Sequence, residues 1–105
     1  MIKAVILLKR RDDMSLQDFA DWMLKEHVPM ALKLDGLKRY QVNIARSPEA
    51  DYDGVAELWF DSEEAMLAAY ASDHGKAVAA DSLAHVKSRQ RVVVDEHPFT
   101  PTPTG

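Results

Sequence analysis

LKRYQVNIARSPEADYDGVAELWF, residues 37–60, decides how this chain folds. Tyr40, Val42 and Ile44 alternate with Arg39, Gln41 and Asn43, the period-two pattern of a strand between an apolar and a polar environment. This strand is expected over residues 37–45. Residues 47–51 are polar and contain Pro48, a turn-forming composition, and Tyr52-Asp53-Gly54 then opens another strand that runs to Phe60. Two strands joined directly, with no room for a crossover helix, pair as an antiparallel hairpin.

Helical patterns flank that hairpin on both sides. Upstream, Ser15 is placed to cap a helix starting near Leu16, with Asp18 three residues later in the acidic position of a capping box. Leu16, Phe19, Ala20, Met23, Met30, Ala31 and Leu34 keep the 3.6 period, so one stripe faces a sheet, and Asp35-Gly36 ends the helix. Before it, residues 2–9 are rich in Val, Ile and Leu on both alternating faces, as a central strand requires. Downstream, Asp61 or Ser62 caps a second helix with Glu63 and Glu64 in its first turn, and residues 72–75 break it. A further helical stretch is expected over residues 76–81, then a short connection and a fourth strand over residues 87–96. The order βαββαβ predicts an α+β, ferredoxin-like fold with an antiparallel sheet and both helices on one face.

The other sheet face is then bare. It would carry Trp59 and the Val-rich fourth strand beside Arg39, Gln41, Asn43 and Glu57, so a second copy is expected to cover it through a partly polar interface. The domain is expected to occupy residues 1–97. Residues 98–105 form a Pro/Thr-rich tail that cannot make a regular helix.

Composition narrows the function. The 105 residues suit one domain, and a chain this short gains burial from pairing. The absence of cysteine excludes disulfides, thiolate metal sites and a cysteine nucleophile, and fits a reducing, cytoplasmic setting. The apolar start is shorter than a membrane span, so no membrane association is expected. A net charge of -4 with interspersed signs offers no basic stripe for nucleic acid. No histidine and carboxylate spacing matches a metal site, and neither a Gly-rich phosphate loop nor a G-x-S-x-G elbow occurs. No cofactor is expected.

Among residues that could carry chemistry, His27 continues the apolar stripe at Met23 plus four, and Pro29 beside it should disturb the helix and open a gap. It reads either as a general acid/base or as a core histidine with a satisfied hydrogen bond. Tyr40 leaves its strand toward the helices, placed to donate to an oxyanion or simply to pack. Trp22, Met23 and Val42 are candidate walls of a substrate pocket. Asp73-His74 is better explained by the helix break than by catalysis, and Asp81 with His85, four apart, by an ion pair.

These segments together resemble the EthD-type dimeric α+β barrel proteins: WMLKEHVP at 22–29, DGLKRY at 35–40, YDGVAELWF at 52–60 and GKAVAAD at 75–81. The resemblance covers nearly the whole chain up to the tail. It implies a homodimer with a small-molecule site between sheet and helices in each subunit. Related barrels include muconolactone methylisomerases and polyketide cyclases, which work by proton transfer without cofactor or metal, and His27 and Tyr40 stand where such a methylisomerase has its functional pair. Relatives that rely on a cysteine are departed from here. The expectation is a cofactor-independent isomerase or lyase acting on a small, partly apolar carbonyl or lactone metabolite. The alternatives are a non-catalytic binding or accessory protein of a degradative pathway, and a cofactor-free monooxygenase.

Overall fold

A computed structural model describes residues 1–103. The elements are β1 (Ile2–Arg10), α1 (Leu16–Trp22), a π-helical turn (Met23–His27), α2 (Val28–Ala31), β2 (Leu37–Ile44), β3 (Gly54–Phe60), α3 (Glu63–Ala71), α4 (Asp73–His85) and β4 (Val86–Val94). The sheet has the order β2-β3-β1-β4 with every pairing antiparallel, so β1 is central, the position its two-faced apolar composition requires. The fold is α+β and ferredoxin-like.

Side-chain alternation sorts the sheet into two surfaces. Ala4, Ile6 and Leu8 of β1 and Ala56, Leu58 and Phe60 of β3 are buried together with Phe19, Trp22, Met23, Met66 and Val78 from the helices. The opposite surface holds the other parity: Lys3, Val5 and Leu7 of β1, Glu57 and Trp59 of β3, Gln41 of β2, and Val92 and Val94 of β4. There Glu57 accepts from Lys3 Nζ (2.9 Å), Asn43 Nδ2 (3.1 Å) and Gln41 Nε2 (3.3 Å), and the Arg39 guanidinium lies 4.5 Å from the Trp59 ring centroid. The Lys3 bond holds the Glu57 carboxyl below its usual range.

The helix starts follow their caps. Ser15 Oγ accepts from Asp18 N, and Ser62, not Asp61, caps α3 by accepting from Ala65 N. Several boundaries differ from expectation. The first helical segment stops at Ala31, short of Leu34, and a turn carries the chain to Gly36, whose φ of +80° suits a residue without Cβ. Pro29 expresses itself as a widened turn: Val28 N–H reaches back to Met23 O, and Pro29 occupies the first turn of α2, where its missing amide is harmless. The last helix is longer than the 76–81 pattern suggested. Ser72 Oγ accepts from Gly75 N and starts α4 at Asp73, which runs to His85 and passes directly into β4 without a connecting loop. β4 in turn ends at Val94, two residues early.

Residues 98–103 have no regular element, and the last two residues of the expected tail lie outside the described ones. Among the described residues no helix is long and apolar enough to cross a membrane.

The α3–α4 joint is tight at Gly75, where an added Cβ would sit 2.0 Å from Ala69 O and 2.6 Å from the Tyr70 Cα. Backbone atoms cannot yield as a side-chain tip does. Gly75→Ala is therefore expected to lower stability by about 2 kcal/mol or more, read from the urea midpoint; an unchanged midpoint would show that the joint relaxes freely.

Candidate functional site

The turn that Pro29 imposes leaves His27 on the buried face of the first helical segment, 6% exposed, at the end of a run anchored by Met23 and Trp22. Across from it, α4 presents Asp81. Asp81 Oδ2 lies 2.9 Å from His27 Nδ1 and accepts from Trp22 Nε1 at 3.2 Å. A carboxylate only accepts, so the proton shared with the imidazole sits on Nδ1 and leaves Nε2 as the basic nitrogen. Nε2 makes no hydrogen bond among the described residues.

Trp22 is held in turn on both sides. Its ring stacks on His85 at 4.7 Å with planes 14° apart and tilts against His27 at 5.1 Å. His85 Nδ1 lies 2.7 Å from the Asp81 carbonyl oxygen and 3.5 Å from its carboxylate. The expected Asp81–His85 neighbourhood is thus present, but the carboxylate serves His27 and Trp22 more closely. His74 is not part of this cluster: its Nε2 lies 2.8 Å from Met30 O and ties α4 to the end of α2.

His27 faces a crevice between sheet and helices that also touches Tyr40 from β2, Tyr70 from α3 and Arg89 from β4. Burial pushes the Tyr40 phenol far above its ordinary range, and the Tyr70 phenol up as well, so both hold their protons and stand as donors. Burial also lowers the His27 pKa below 6.5, and the Asp81 carboxylate partly opposes that shift. The imidazole is therefore neutral at pH 7 and ready to accept a proton.

The crevice encloses only about 10 Å³, the space of about one water. Two larger concavities lie elsewhere, of about 350 Å³ around Arg10 and Asp53 and about 410 Å³ on the open sheet face around Trp59. Their charged groups largely neutralise each other, as in Arg10–Asp53 (3.5 Å), Lys87–Asp12 (2.7 Å) and Lys3–Glu57 (2.9 Å). The crevice is the place where a free imidazole nitrogen, two protonated phenols and a guanidinium converge.

Of the residues singled out from the sequence, His27 and Tyr40 come together here. Trp22, Met23 and Val42 do not line the crevice: Trp22 and Met23 are buried behind His27, and Val42 packs against the core from β2. Trp22 instead orients Asp81. The pattern reading missed Asp81 as the partner of His27, as well as Tyr70 and Arg89. GKAVAAD at 75–81 already carried Asp81, but nothing local to it points 54 positions back to a histidine. Among the described residues no group of three or more His, Asp or Glu could hold a metal ion.

The EthD domain model matches residues 11–88. An ethyl tert-butyl ether d (EthD) family protein from Bacillus halodurans is 26% identical, with a TM-score of 0.80 over 92% of this chain and 99% of that chain. A dimeric protein of unknown function and ferredoxin-like fold from Bacteroides fragilis is 18% identical, with a TM-score of 0.71 over 90% and 95% of the two chains. SnoaB, a cofactor-independent oxygenase from Streptomyces nogalater, is 15% identical, with a TM-score of 0.70 over 96% and 97%. These last two likenesses show the fold alone. No curated protein matches.

Two consequences follow for His27. Because its folded-state pKa lies below the unfolded 6.5, the unfolded chain binds the extra proton. Stability should then fall as pH drops below about 6.5 and level off only below the folded pKa, and His27→Gln should flatten that part of the curve. Removing the Asp81 charge takes away the stabiliser of imidazolium, so Asp81→Asn should lower the His27 pKa further in an NMR titration. An unchanged or raised value would break the pairing.

Proposed function

The chain belongs to the EthD domain family, and we propose that it is a cofactor-independent enzyme that moves a proton on a small, partly apolar carbonyl or lactone metabolite, of isomerase or lyase type. The observation that carries this reading is the His27–Asp81 pair: Nδ1 is engaged by the carboxylate, Nε2 is left without a hydrogen bond among the described residues, and His27 lines the same crevice as Tyr40. His27 Nε2 takes a proton from the carbon beside the carbonyl, and Asp81 stabilises the imidazolium that forms. The electron pair left behind moves onto the carbonyl oxygen, which accepts a hydrogen bond from the Tyr40 hydroxyl. Return of the proton to a different carbon gives an isomerase. Departure of a β-leaving group gives a lyase.

The crevice must widen to seat such a molecule. Tyr40 and Arg89 line it from the two edge strands, β2 and β4, and Tyr70 from α3. A cofactor-independent oxygenase is the activity named for SnoaB; the same first step serves such a reaction in this chain when dioxygen, as co-substrate, takes up the carbanion's electron pair in a new C–O bond to give a peroxide. Oxygen uptake accompanying turnover separates the two, and binding without turnover would mark an accessory protein.

A panel of small lactones and cyclic ketones in deuterium oxide, followed by NMR, reads the proposed step directly as exchange at the carbon beside the carbonyl. His27→Ala is expected to reduce exchange by about 10²- to 10⁴-fold while far-UV circular dichroism stays unchanged. Exchange that survives the substitution would sink the assignment.

The open sheet face supports a homodimer in this reading. Val5, Leu7, Val92 and Val94 make an apolar strip along β1 and β4, Val92 is 50% exposed, and the Glu57 network beside it is already internally bonded. A second copy laid face to face buries the strip at little polar cost. Sedimentation should give a dimer at micromolar concentration, and Val92→Lys should shift it to monomer. A monomeric parent chain would end the dimer proposal.

A further inference from the structure

Arg89 projects from β4 on the surface where charge is least welcome. It pairs across the sheet with Leu8, whose side chain is core, and is half-buried on that helix-facing side. Arg91 follows on the same parity, opposite Ile6, at the exposed rim. Both guanidinium groups flank one ring, Tyr70, at 5.9 and 5.6 Å from its centroid. Neither has a carboxylate within 4.0 Å among the described residues, and Arg89, unlike Arg91, is withdrawn from solvent.

Such an arrangement is poorly explained by folding alone. A half-buried cation loses hydration, and an aromatic face returns only part of that loss. A second cation on the same ring adds repulsion that an anion between them would relieve. Arg89 also lines the His27 crevice, so an anion held there would stand at the mouth of the proposed reaction site. The planar guanidinium fork matches a carboxylate with two parallel hydrogen bonds, which a lysine cannot reproduce.

We propose that Arg89, with Arg91 at the rim, binds a carboxylate, and that the substrate is therefore a small, partly apolar carboxylic acid whose reacting carbon reaches His27 Nε2. The statement about the reacting carbon rests on the proposed role of His27; the anion site does not.

The test compares acids with amides of nearly the same shape. Propionate against propionamide and benzoate against benzamide are titrated into the full chain at low salt, with the arginine side-chain and His27 ring signals followed by NMR. At least one acid is expected to bind ten-fold or more tightly than its amide and to shift the Arg89 Nε–H resonance. Arg89→Gln should remove the preference, and Arg89→Lys should keep only part of it. The proposal is overturned if neither acid outbinds its amide, or if the preference persists unchanged in Arg89→Gln.

His27→Ala separates this inference from the functional reading, since it should keep the acid preference. Acid preference with no proton exchange on any probe would leave the anion site standing and count against the enzyme. Exchange that depends on His27, with acids and amides handled alike, would do the reverse.

Discussion

One carboxylate oxygen, Asp81 Oδ2, lies within hydrogen-bonding reach of two ring nitrogens from the first helical segment, and the arrangement of the helical layer turns on that junction. The segment carrying Trp22 and His27 is interrupted by a π-helical turn, and α2 beyond it has only four residues. Short helical pieces have little stability of their own and depend on tertiary packing. Asp81 supplies a polar tie at the point where the apolar stripe is interrupted, and His74 supplies a second one to Met30. The two ties dock the broken segment onto α4, which is continuous over thirteen residues.

The same junction gives the site its chemistry. A buried imidazole is pushed toward neutrality by desolvation, and a half-buried carboxylate beside it fixes which nitrogen carries the proton. Trp22 holds the carboxylate from the side, and His85 stacks behind Trp22. None of these three groups lines the crevice itself. The catalytic candidates are thus set by a polar cluster that does not itself face the crevice, which is why walls sought from residue type alone fell on Trp22, Met23 and Val42.

The sheet divides labour by parity. Because successive side chains point to opposite faces, β1 sends Ala4, Ile6 and Leu8 to the helices and Lys3, Val5 and Leu7 to the other side, and its neighbours follow in register. β4 uses this rule in an unusual way. Its helix-facing positions include Arg89 and Arg91, while its valines Val92 and Val94 face outward. Val93, of the same parity as the two arginines, packs against the core, so β4 sets two charges beside a core valine on the inside and an apolar pair on the outside.

Local pattern was sufficient for the four strands, the 37–60 hairpin, the Ser15 cap and the face on which His27 and Tyr40 emerge. Those features depend on periods of two and 3.6 residues and on caps within three or four positions, all of which are written in neighbouring residues. Pro29 announced a disturbance there too, but its form, a widened turn followed by a short α2, depends on which carbonyls the packed segment can reach. The length of α4 was not readable because helix and strand meet at His85–Val86 with no breaker between them. Tertiary structure alone decided the partner of His27, since Asp81 is brought to it by the packing of helices separated by a hairpin. It also decided the crevice, whose walls come from all four strands and from the π-helical turn, α2, α3 and α4, and whose volume is the small remainder of close packing. Sequence periodicity fixes directions along each element; only the docking of those elements fixes which directions meet.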